Sequence, residues 1–272
     1  MAALAASEAA IASRSDAVSR YTRRMARNSG WIHPATIGKV HYGASRAPDN
    51  VFGSVPKAVR LGTVPAGAYD QGSVPDCVAE ALARAVRIVS MRDGYPDDPP
   101  SRMDIHYRAR EREGAEGVKR GCMIASGVEV LRDGWLPESR WPHSTEWGPL
   151  WTTKPPALPH DAPRLINAEA LAITPEDVVW SISEGSPVIL GMLVTEAWEN
   201  ISGDMLPNVE GPAIDGHAVV AIGFDRGMEC LRIVNSWGFG WGECGEAWLP
   251  YDWLRLGVCG EAFAVRNVRR AR

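Results

Sequence analysis

The sequence lacks several features that would each assign a chain to a broad class. It has five cysteines and no C-x-x-C pair, which argues against a disulfide framework or a zinc ribbon. No apolar run approaches the roughly 18 residues that a membrane-spanning helix needs. The formal net charge of −4 argues against a broadly basic nucleic-acid-binding protein. With 45% hydrophobic and 23% charged residues in 272, the composition is that of a globular protein with a large core.

The first residues do not resemble an export signal. Residues 1–12 are small and apolar, but Glu8 interrupts them and no basic residue precedes them, unlike a signal peptide. We therefore expect a reducing compartment, cytoplasmic by default or inside a particle, where the cysteines are mostly free. We expect no metal or other cofactor. The cysteines are Cys77, Cys122, Cys230, Cys244 and Cys259.

Positive charge is concentrated at the two ends of the chain. The first 30 residues hold five arginines against Glu8 and Asp16, and the last seven hold four arginines and no acidic residue. The simpler interpretation is two solvated tails; the alternative is a pair of arms that dock on an acidic protein partner or a larger assembly. The arginines of such arms would be Arg20, Arg23, Arg24, Arg269, Arg270 and Arg272.

Helical patterns come first along the chain and strand patterns second. Apolar periodicity and capping residues predict helices over residues 7–28, from Asp76 to about Gly94, from Ser101 to Arg112 and over 124–132. Residues 30–70 look like an extended connecting segment, and 137–163 are too rich in proline for regular structure. After Pro163 we expect one helix, 175–184, and short strands. The strands are 188–194, 217–224, 230–234, 246–249 and 262–265. This order predicts an α+β fold in two packed halves.

Cys77 is the first candidate catalytic residue, a possible nucleophile, because it is the first residue of a predicted helix. Backbone N–H groups and the helix macrodipole favour a thiolate at a helix start, and the thiolate is the nucleophilic form. The preceding Asp76 opposes this shift because it adds negative charge. A lone cysteine is more often a small buried hydrophobic residue, so the assignment depends on a base elsewhere in the chain.

His217 and Asn235 supply a candidate base and its partner. His217 lies 140 residues after Cys77, at the start of an apolar strand, and Asn235 lies 18 residues further, at the end of the next one. A hairpin would place the two side by side, where the amide would fix the imidazole tautomer and direct the other nitrogen at the sulfur. A lone histidine beside an apolar strand is otherwise more often structural.

Three motifs resemble those of the papain family (C1) of cysteine peptidases, in the same order. The segment Asn235-Ser-Trp-Gly-Phe-Gly-Trp-Gly-Glu-Cys-Gly245 agrees at all seven fixed positions of the family's Asn-Ser-Trp-Gly-x-x-Trp-Gly-x-x-Gly block. Gln71-Gly-Ser precedes Cys77 by six residues, as the family's glutamine does, and Gly216-His-Ala-Val resembles its histidine strand. The chain is thereby identified as a member of this family, and Gly121-Cys and the segment 134–142 resemble its prokaryotic branch.

The resemblance implies a papain-like two-lobed α+β fold and a peptidase mechanism. Cys77 would be the nucleophile, His217 the general base and then the acid, and Asn235 the residue that orients the histidine. The Gln71 amide and the Cys77 backbone N–H would form an oxyanion hole. Trp237 would cover the Asn–His contact beside the substrate. The implied substrate is a peptide or protein, and no nucleic acid is expected.

The resemblance covers about residues 50–268, which sets the expected domains. Residues 50–272 would form the peptidase domain, with a helical lobe over about 70–160 and a barrel-like antiparallel β lobe over about 163–268. Residues 1–49 match no pro-segment pattern, so an inhibitory, strapping or tethering role stays open. A strand across the groove between Cys77 and His217 would indicate a zymogen, whereas an open groove would indicate a constitutive enzyme.

Several residues depart from the family pattern near the nucleophile. Val74 stands where the family has a disulfide-forming cysteine, so Cys122 near the usual partner position would be free. Pro75 replaces a glycine beside the substrate groove. Asp76 places a carboxylate next to the sulfur, so Asp76 is a candidate substrate-binding residue together with Gly216 and Trp237. Cys244 replaces a common asparagine. These changes affect the expected efficiency and specificity of catalysis more than the fold.

Two residues before His217 bear on substrate preference. Gly216, before His217, leaves room rather than charge, and the nearby Asp215 indicates a preference for basic substrates. The alternative function is a papain-fold docking component of a larger assembly, such as a virion or secretion particle, with weak or conditional activity. An acyl transferase would use the same residues, while the Gln71 spacing and the Asn235–Gly245 block argue against cell-wall amidases.

Overall fold

The structure is a computed structural model, and it describes residues 30–32, 47–62, 69–199, 201, 203–209 and 211–269. The helix predicted over 7–28 lies outside these residues. The helices are α1 Val51–Ser54, α2 Cys77–Arg92, α3 Arg102–Arg112, α4 Ile124–Asp133, α5 Pro175–Ser183, α6 Glu196–Glu199 and α7 Asp252–Arg255. The strands are β1 Ala58–Arg60, β2 Arg164–Ala170, β3 Val188–Val194, β4 Asp215–Asp225, β5 Cys230–Val234, β6 Glu246–Pro250 and β7 Cys259–Arg269.

Helix α2 begins at Cys77, where the sequence predicted a helix start. Its apolar stripe is buried, including Val78, Leu82 and Val89. The predicted capping role of Asp76 is wrong, because its side chain makes no hydrogen bond to the helix backbone. Ser101, in contrast, caps α3 as predicted, since its hydroxyl accepts a hydrogen bond from the Asp104 backbone N–H at 3.1 Å.

The second half of the chain forms an antiparallel sheet with strand order β2-β7-β3-β4-β5-β6, and β1 extends β4. All five predicted strands are present within a few residues of the expected bounds. Strands β1 and β2 were not predicted, nor were the single-turn helices α1, α6 and α7. Helix α1 and strand β1 fall within the segment 30–70, which was expected to be extended. Strands β2 and β6 stand at the two ends of this order, so the sheet is not closed into a barrel among the described residues. The fold is α+β and papain-like, as expected.

Apolar residues cover both faces of this sheet, which brings the two halves of the chain together. Alternate residues of β3 and β4 separate into two clusters. Ile189 and Val220 pack with helix α2, whereas Leu190 and Val219 pack on the opposite face with helix α5. Because α2 lies directly on the sheet, its first residue is held beside the start of β4.

The remaining sequence predictions have mixed outcomes. The segment 137–163 holds one short 3-10 helix, Pro149–Thr152. Among the arginines proposed to dock, Arg269 is described and is exposed at the end of β7, while the others lie outside the described residues. Docking therefore stays a prediction. In the described part of the chain, no helix is long and apolar enough to cross a membrane, and the five cysteines are free thiols.

Candidate active site

His217 and Asn235 meet where β4 and β5 run side by side. The register pairs Val220 with Val234, so Asn235 follows β5 close to His217. The imidazole Nε2 lies 2.6 Å from Oδ1 of Asn235. The same Oδ1 accepts the Ser236 backbone N–H at 2.7 Å, which fixes that atom as the oxygen. Nε2 therefore carries the proton, and Nδ1 is left as the basic nitrogen.

Cys77 lies beside the start of β4, the strand that carries His217, at the junction of the two halves. Its sulfur is within hydrogen-bonding reach of the backbone N–H of Ala218, the residue that follows His217. The cysteine is fully buried and packs in the apolar cluster around α2. The structure thus brings Cys77, His217 and Asn235 to one place, from three separate elements.

Burial controls the protonation of this site. It raises the pKa of the Cys77 thiol well above its ordinary value, and the negative charges of Asp215 and Asp76 raise it further, against the Ala218 N–H. Burial also lowers the pKa of His217 to about 4, against the hydrogen bond that its Nε2–H donates to Asn235 Oδ1. Both shifts favour a neutral thiol and a neutral imidazole over a thiolate–imidazolium pair.

A short segment of the chain itself covers the sulfur. A Cβ atom built on Gly30 would lie 2.6 Å from the Cys77 Sγ. The Trp31 N–H donates to the Gly216 carbonyl at 3.2 Å, and the Ile32 N–H donates to the Cys122 carbonyl at 3.2 Å. Residues 30–32 therefore bridge the groove from Cys122 to the strand that carries His217.

Gln71 lies beside this groove and is held in place from two directions. Its Nε2 donates to the Val74 carbonyl at 2.7 Å. Its Oε1 accepts the Ser236 hydroxyl at 2.7 Å. These two bonds fix the amide orientation, with the NH2 group on the side of Val74. Since Ser236 follows Asn235, the same turn orients both the amide that holds the histidine and the amide predicted for the oxyanion hole.

Trp237 packs against the histidine and lines the groove. The Trp237 and His217 ring centroids are 4.7 Å apart, with an angle of 36° between the planes. Trp198 contacts the same imidazole edge-on at 6.2 Å. The His217–Asn235 hydrogen bond is thus enclosed by indole rings, where the low local dielectric strengthens it. The residues lining the groove are Gly30, Gln71, Gly72, Ser73, Val74, Pro75, Lys119, Asp215, Gly216, His217 and Trp237.

Asp76 is placed differently from the other residues proposed to bind substrate. Gly216 and Trp237 line the groove, but the Asp76 side chain is fully buried. Its Oδ2 contacts His143 Nε2 at 3.0 Å, and the same nitrogen lies 3.2 Å from Glu80. Burial, which is the main cause, raises the pKa of Asp76, and that of Glu80 to about 8. Asp76 faces the interior of the helical half.

Asp76, Glu80 and His143 also form a set whose ligand atoms lie within 4.8 Å of one another, as in a metal site. Arg102 binds both oxygens of Glu80 at 3.1 Å. This guanidinium supplies the positive charge that a cation would bring, and the cluster is explained as a buried ion-pair network. Sequence reasoning missed His143, because it lies in the irregular segment 137–163 where no periodicity marks burial.

Glu261 is another residue that the sequence analysis missed. It stands in β7 and is fully buried, where it accepts a hydrogen bond from the Trp31 indole Nε1 at 2.7 Å. A signal was present: an acidic residue interrupts the otherwise apolar run Cys-Gly-Glu-Ala-Phe-Ala-Val. Its partner could not have been found, because Trp31 is 230 residues away in sequence.

A cysteine at a helix start, near a histidine–asparagine pair on an antiparallel sheet, is the arrangement found in papain-like cysteine peptidases. Comparison with known proteins supports this similarity. A protein of Acanthamoeba polyphaga mimivirus, described as an uncharacterized peptidase C1-like protein, is 27% identical over 206 residues. That match covers 68% of this chain and 64% of the viral protein, just under two thirds of its length. The chain is similar to papain-like C1 cysteine peptidases.

Solved structures show the same relationship. Xylellain, a cysteine protease from Xylella fastidiosa, superimposes with a TM-score of 0.77 at 27% identity, covering 89% of this chain and 98% of xylellain. The procathepsin B S9 structure from Trypanosoma congolense gives a TM-score of 0.71 at 15% identity, covering 88% and 86% of the two chains, which supports the fold alone. The chain matches none of the models of known protein families.

Proposed function

We propose that the protein hydrolyses peptide bonds through a Cys77 acyl-enzyme. The observation that carries this proposal is the 2.6 Å contact of His217 Nε2 with Asn235 Oδ1, which leaves Nδ1 as the base while Ala218 lies against the Cys77 sulfur. Nδ1 takes the thiol proton, and the sulfur attacks the peptide carbonyl carbon. The imidazolium then gives that proton to the leaving amine. Water, deprotonated by His217, releases the acid and restores the thiol.

Gln71 and the backbone N–H of Cys77 stabilise the oxyanion in this proposal. One Nε2 hydrogen of Gln71 is used by the Val74 carbonyl, so the second is available to a substrate oxygen in the groove that Gln71 lines. Such donors act on charge that develops only in the tetrahedral intermediate. The hydroxyl of Ser236 keeps the amide in that orientation.

The described conformation represents a latent form of this enzyme. Gly30 lies against the nucleophile, and the Trp31 backbone N–H donates a hydrogen bond to the Gly216 carbonyl, which is then not available to a substrate. A peptide that approaches Cys77 must therefore displace residues 30–32. Displacement also admits water, which removes the burial that raises the Cys77 pKa and lowers that of His217.

The test compares the full-length wild type with the Cys77→Ala variant on a mixture of unstructured peptides, before and after the Trp31→Ala substitution. Turnover should appear in the Trp31→Ala protein, and Cys77→Ala should abolish it. An epoxide-type thiol inhibitor should label Cys77. Cys122→Ala is the matched control, because this buried thiol is also close to the segment. Turnover that survives Cys77→Ala would end the proposal.

The closed groove also favours a second candidate, a papain-fold component that docks in a larger assembly and has weak or conditional activity. Light scattering after size-exclusion chromatography distinguishes the two. A monomer whose Trp31→Ala variant cleaves peptides supports the enzyme. A stable assembly without turnover in any variant supports the docking component.

A further inference from the structure

A small cavity borders Asn235 and is separate from the substrate groove. Its wall is formed by Tyr69, by residues of α2 and by residues of β4 and β5 up to the turn that carries Asn235. None of its lining residues lines the groove. The cavity has a volume of about 10 Å³, which is about the space that one buried water molecule needs.

The Asn235 amide has one buried polar atom without a partner. Only 3% of the residue is exposed. Its Oδ1 accepts the His217 Nε2–H at 2.6 Å and the Ser236 backbone N–H at 2.7 Å. Its Nδ2, in contrast, has no hydrogen-bond partner among the residues that the structure describes. Because a buried amide N–H without an acceptor is costly, a ligand of the neighbouring cavity has to offer a lone pair.

Glu80 and Arg84 add charged groups to the wall of the same cavity. Both oxygens of Glu80 lie 3.1 Å from Arg102 Nη1, and Oε1 is 3.2 Å from His143 Nε2. These contacts fix the carboxyl group, and since a carboxylate offers about four acceptor sites, at least one remains for a further donor. The Arg84 guanidinium stacks on the Tyr69 ring at 4.1 Å from its centroid, which holds its N–H groups at the cavity.

Water is the molecule that fits these groups. It can accept from Asn235 Nδ2–H and from an Arg84 N–H while it donates to Glu80, which gives the roughly three hydrogen bonds that buried waters make. A metal or ammonium cation has no lone pair for the amide hydrogen, and it would lie beside Arg84. A chloride ion is larger than water and would lie beside the Glu80 oxygens that accept from Arg102.

A purely structural role would make Glu80 a member of the ion-pair network around Arg102 and nothing more. Its place beside the Asn235 amide argues for a second role. The amide group is planar, so a partner on Nδ2 also holds Oδ1 in place. A half-turn of the amide would exchange these two atoms and direct Nδ2–H at the His217 Nε2–H. The imidazole proton would then have to move to Nδ1, the nitrogen that is proposed to act as the base.

Resting on the proposed peptidase function, we propose that the cavity binds one water molecule between Asn235 Nδ2 and Glu80, and that Glu80 is a positioning residue that acts through Asn235. The water keeps Oδ1 on the His217 Nε2–H, and Glu80 keeps the water in place. The same carboxyl group thereby connects the buried ion-pair network of the helical half with the proposed base.

The first experiment is a crystal structure of the full-length Cys77→Ala protein. We expect density for one water molecule within about 3.2 Å of both Asn235 Nδ2 and a Glu80 oxygen. A direct hydrogen bond between the two side chains, an anomalous signal from chloride or a cavity without density would each overturn the proposal.

The second experiment titrates His217 by NMR in the full-length Cys77→Ala/Trp31→Ala protein, which needs no turnover. The hydrogen bond to Asn235 raises the His217 pKa, so a loosened amide should lower it. Glu80→Met removes the acceptor for the water, and the His217 pKa should fall. Glu80→Gln removes the same charge but keeps an oxygen, so it should stay close to the parent. Equal shifts in the two variants would assign the effect to charge and overturn the positioning role.

Glu138→Met is the matched control for damage to the ion-pair network. Glu138 accepts a hydrogen bond from the same Arg102 at 3.0 Å but does not line the cavity, so His217 should titrate as in the parent. A shift as large as that of Glu80→Met would contradict the proposal. Should Glu80→Met fail to fold, Val220→Ile tests the same point, because it adds a methyl group to the cavity wall and displaces the water. An unshifted His217 pKa in that variant would overturn the positioning role.

The last arm separates this proposal from the peptidase assignment. In the Trp31→Ala protein with Cys77 intact, Glu80→Met should lower kcat about three- to tenfold with little change in KM, as the loss of about one hydrogen bond allows. Turnover that Glu80→Met leaves unchanged would overturn the positioning role and leave the peptidase standing. A bound water and a lowered His217 pKa without turnover in any variant would leave the link from Glu80 to the histidine standing and remove the peptidase.

Discussion

Gly30 lies so close to the nucleophile candidate that a Cβ atom there would come within 2.6 Å of the Cys77 sulfur. Glycine is therefore required at position 30 for the segment to lie in the groove at all. The contact covers the sulfur and adds to the burial of Cys77, which also packs in the apolar cluster around α2. Burial in turn raises the pKa of the thiol. The same contact therefore obstructs access to the sulfur and favours its protonated form.

The first prediction tests this contact. Gly30→Ala should force residues 30–32 away from the sulfur and raise the rate of Cys77 alkylation by iodoacetamide roughly tenfold or more. Peptide mapping by mass spectrometry separates Cys77 from the exposed Cys244. Gly148→Ala is the control, because a Cβ would meet nothing there. An unchanged Cys77 rate in a folded Gly30→Ala protein would show that the segment does not protect the sulfur.

The second prediction concerns the pH dependence of that alkylation. In the wild type burial holds the pKa of the covered thiol well above its ordinary value, so its rate should stay low through neutral pH and rise only in the alkaline range. The thiolate fraction grows as pH rises toward the thiol pKa, and a lower pKa moves the rise to lower pH. In Gly30→Ala water reaches the sulfur, so the rise should begin at lower pH. Coincident profiles would mean that the cover formed by residues 30–32 does not raise the Cys77 pKa.

The third prediction concerns backbone strain at Cys244. This residue has a φ of +56°, a conformation that glycine and asparagine adopt more readily than other residues. The geometry explains why an asparagine is common at this position in the family. Cys244→Gly should raise the free energy of unfolding by about 1 kcal/mol, measured by urea denaturation. Cys244→Ala, which removes the thiol but keeps the strained Cβ, should bring no comparable gain; an equal gain would assign the effect to the thiol instead.

The sequence was informative where chemistry is carried by local motifs. The start of α2 at Cys77, the strand that carries His217 and the turn after Asn235 all follow from short patterns, because a helix start or a strand needs only neighbouring residues. The placement of Trp31 does not, because it depends on Glu261, which accepts the indole N–H, and on Gly191, where a Cβ atom would lie 2.5 Å from the ring. Both residues come from distant strands. Position 191 shows no pattern at all, since the space that a missing side chain leaves becomes visible only when the ring that fills it is in place.

At Asp76 a local sequence signal was present but predicted the wrong contact. Its residue type and its position before α2 predicted a cap, but its side chain turns to His143 at 3.0 Å. The competing partner lies in an irregular segment 67 residues away. Capping rules consider only the helix itself, so a buried polar network from another part of the chain overrides them without any local signal.

The last prediction addresses the role of Asn235 as a positioning residue. Asn235→Ala removes the oxygen that holds His217 Nε2 at 2.6 Å, and the ring can then rotate or change tautomer. In the Trp31→Ala background, where the groove is accessible, we expect kcat to fall about 10- to 100-fold, as for other residues that orient a ligating or catalytic histidine, with little change in KM.

Asn235→Asp keeps the acceptor and adds a negative charge that raises the His217 pKa. The pH profile of kcat for Asn235→Asp should therefore shift upward on the limb where His217 titrates. A structural role alone would lower the stability of both variants without moving that limb, so an unshifted profile in a folded Asn235→Asp protein would remove Asn235 from the mechanism.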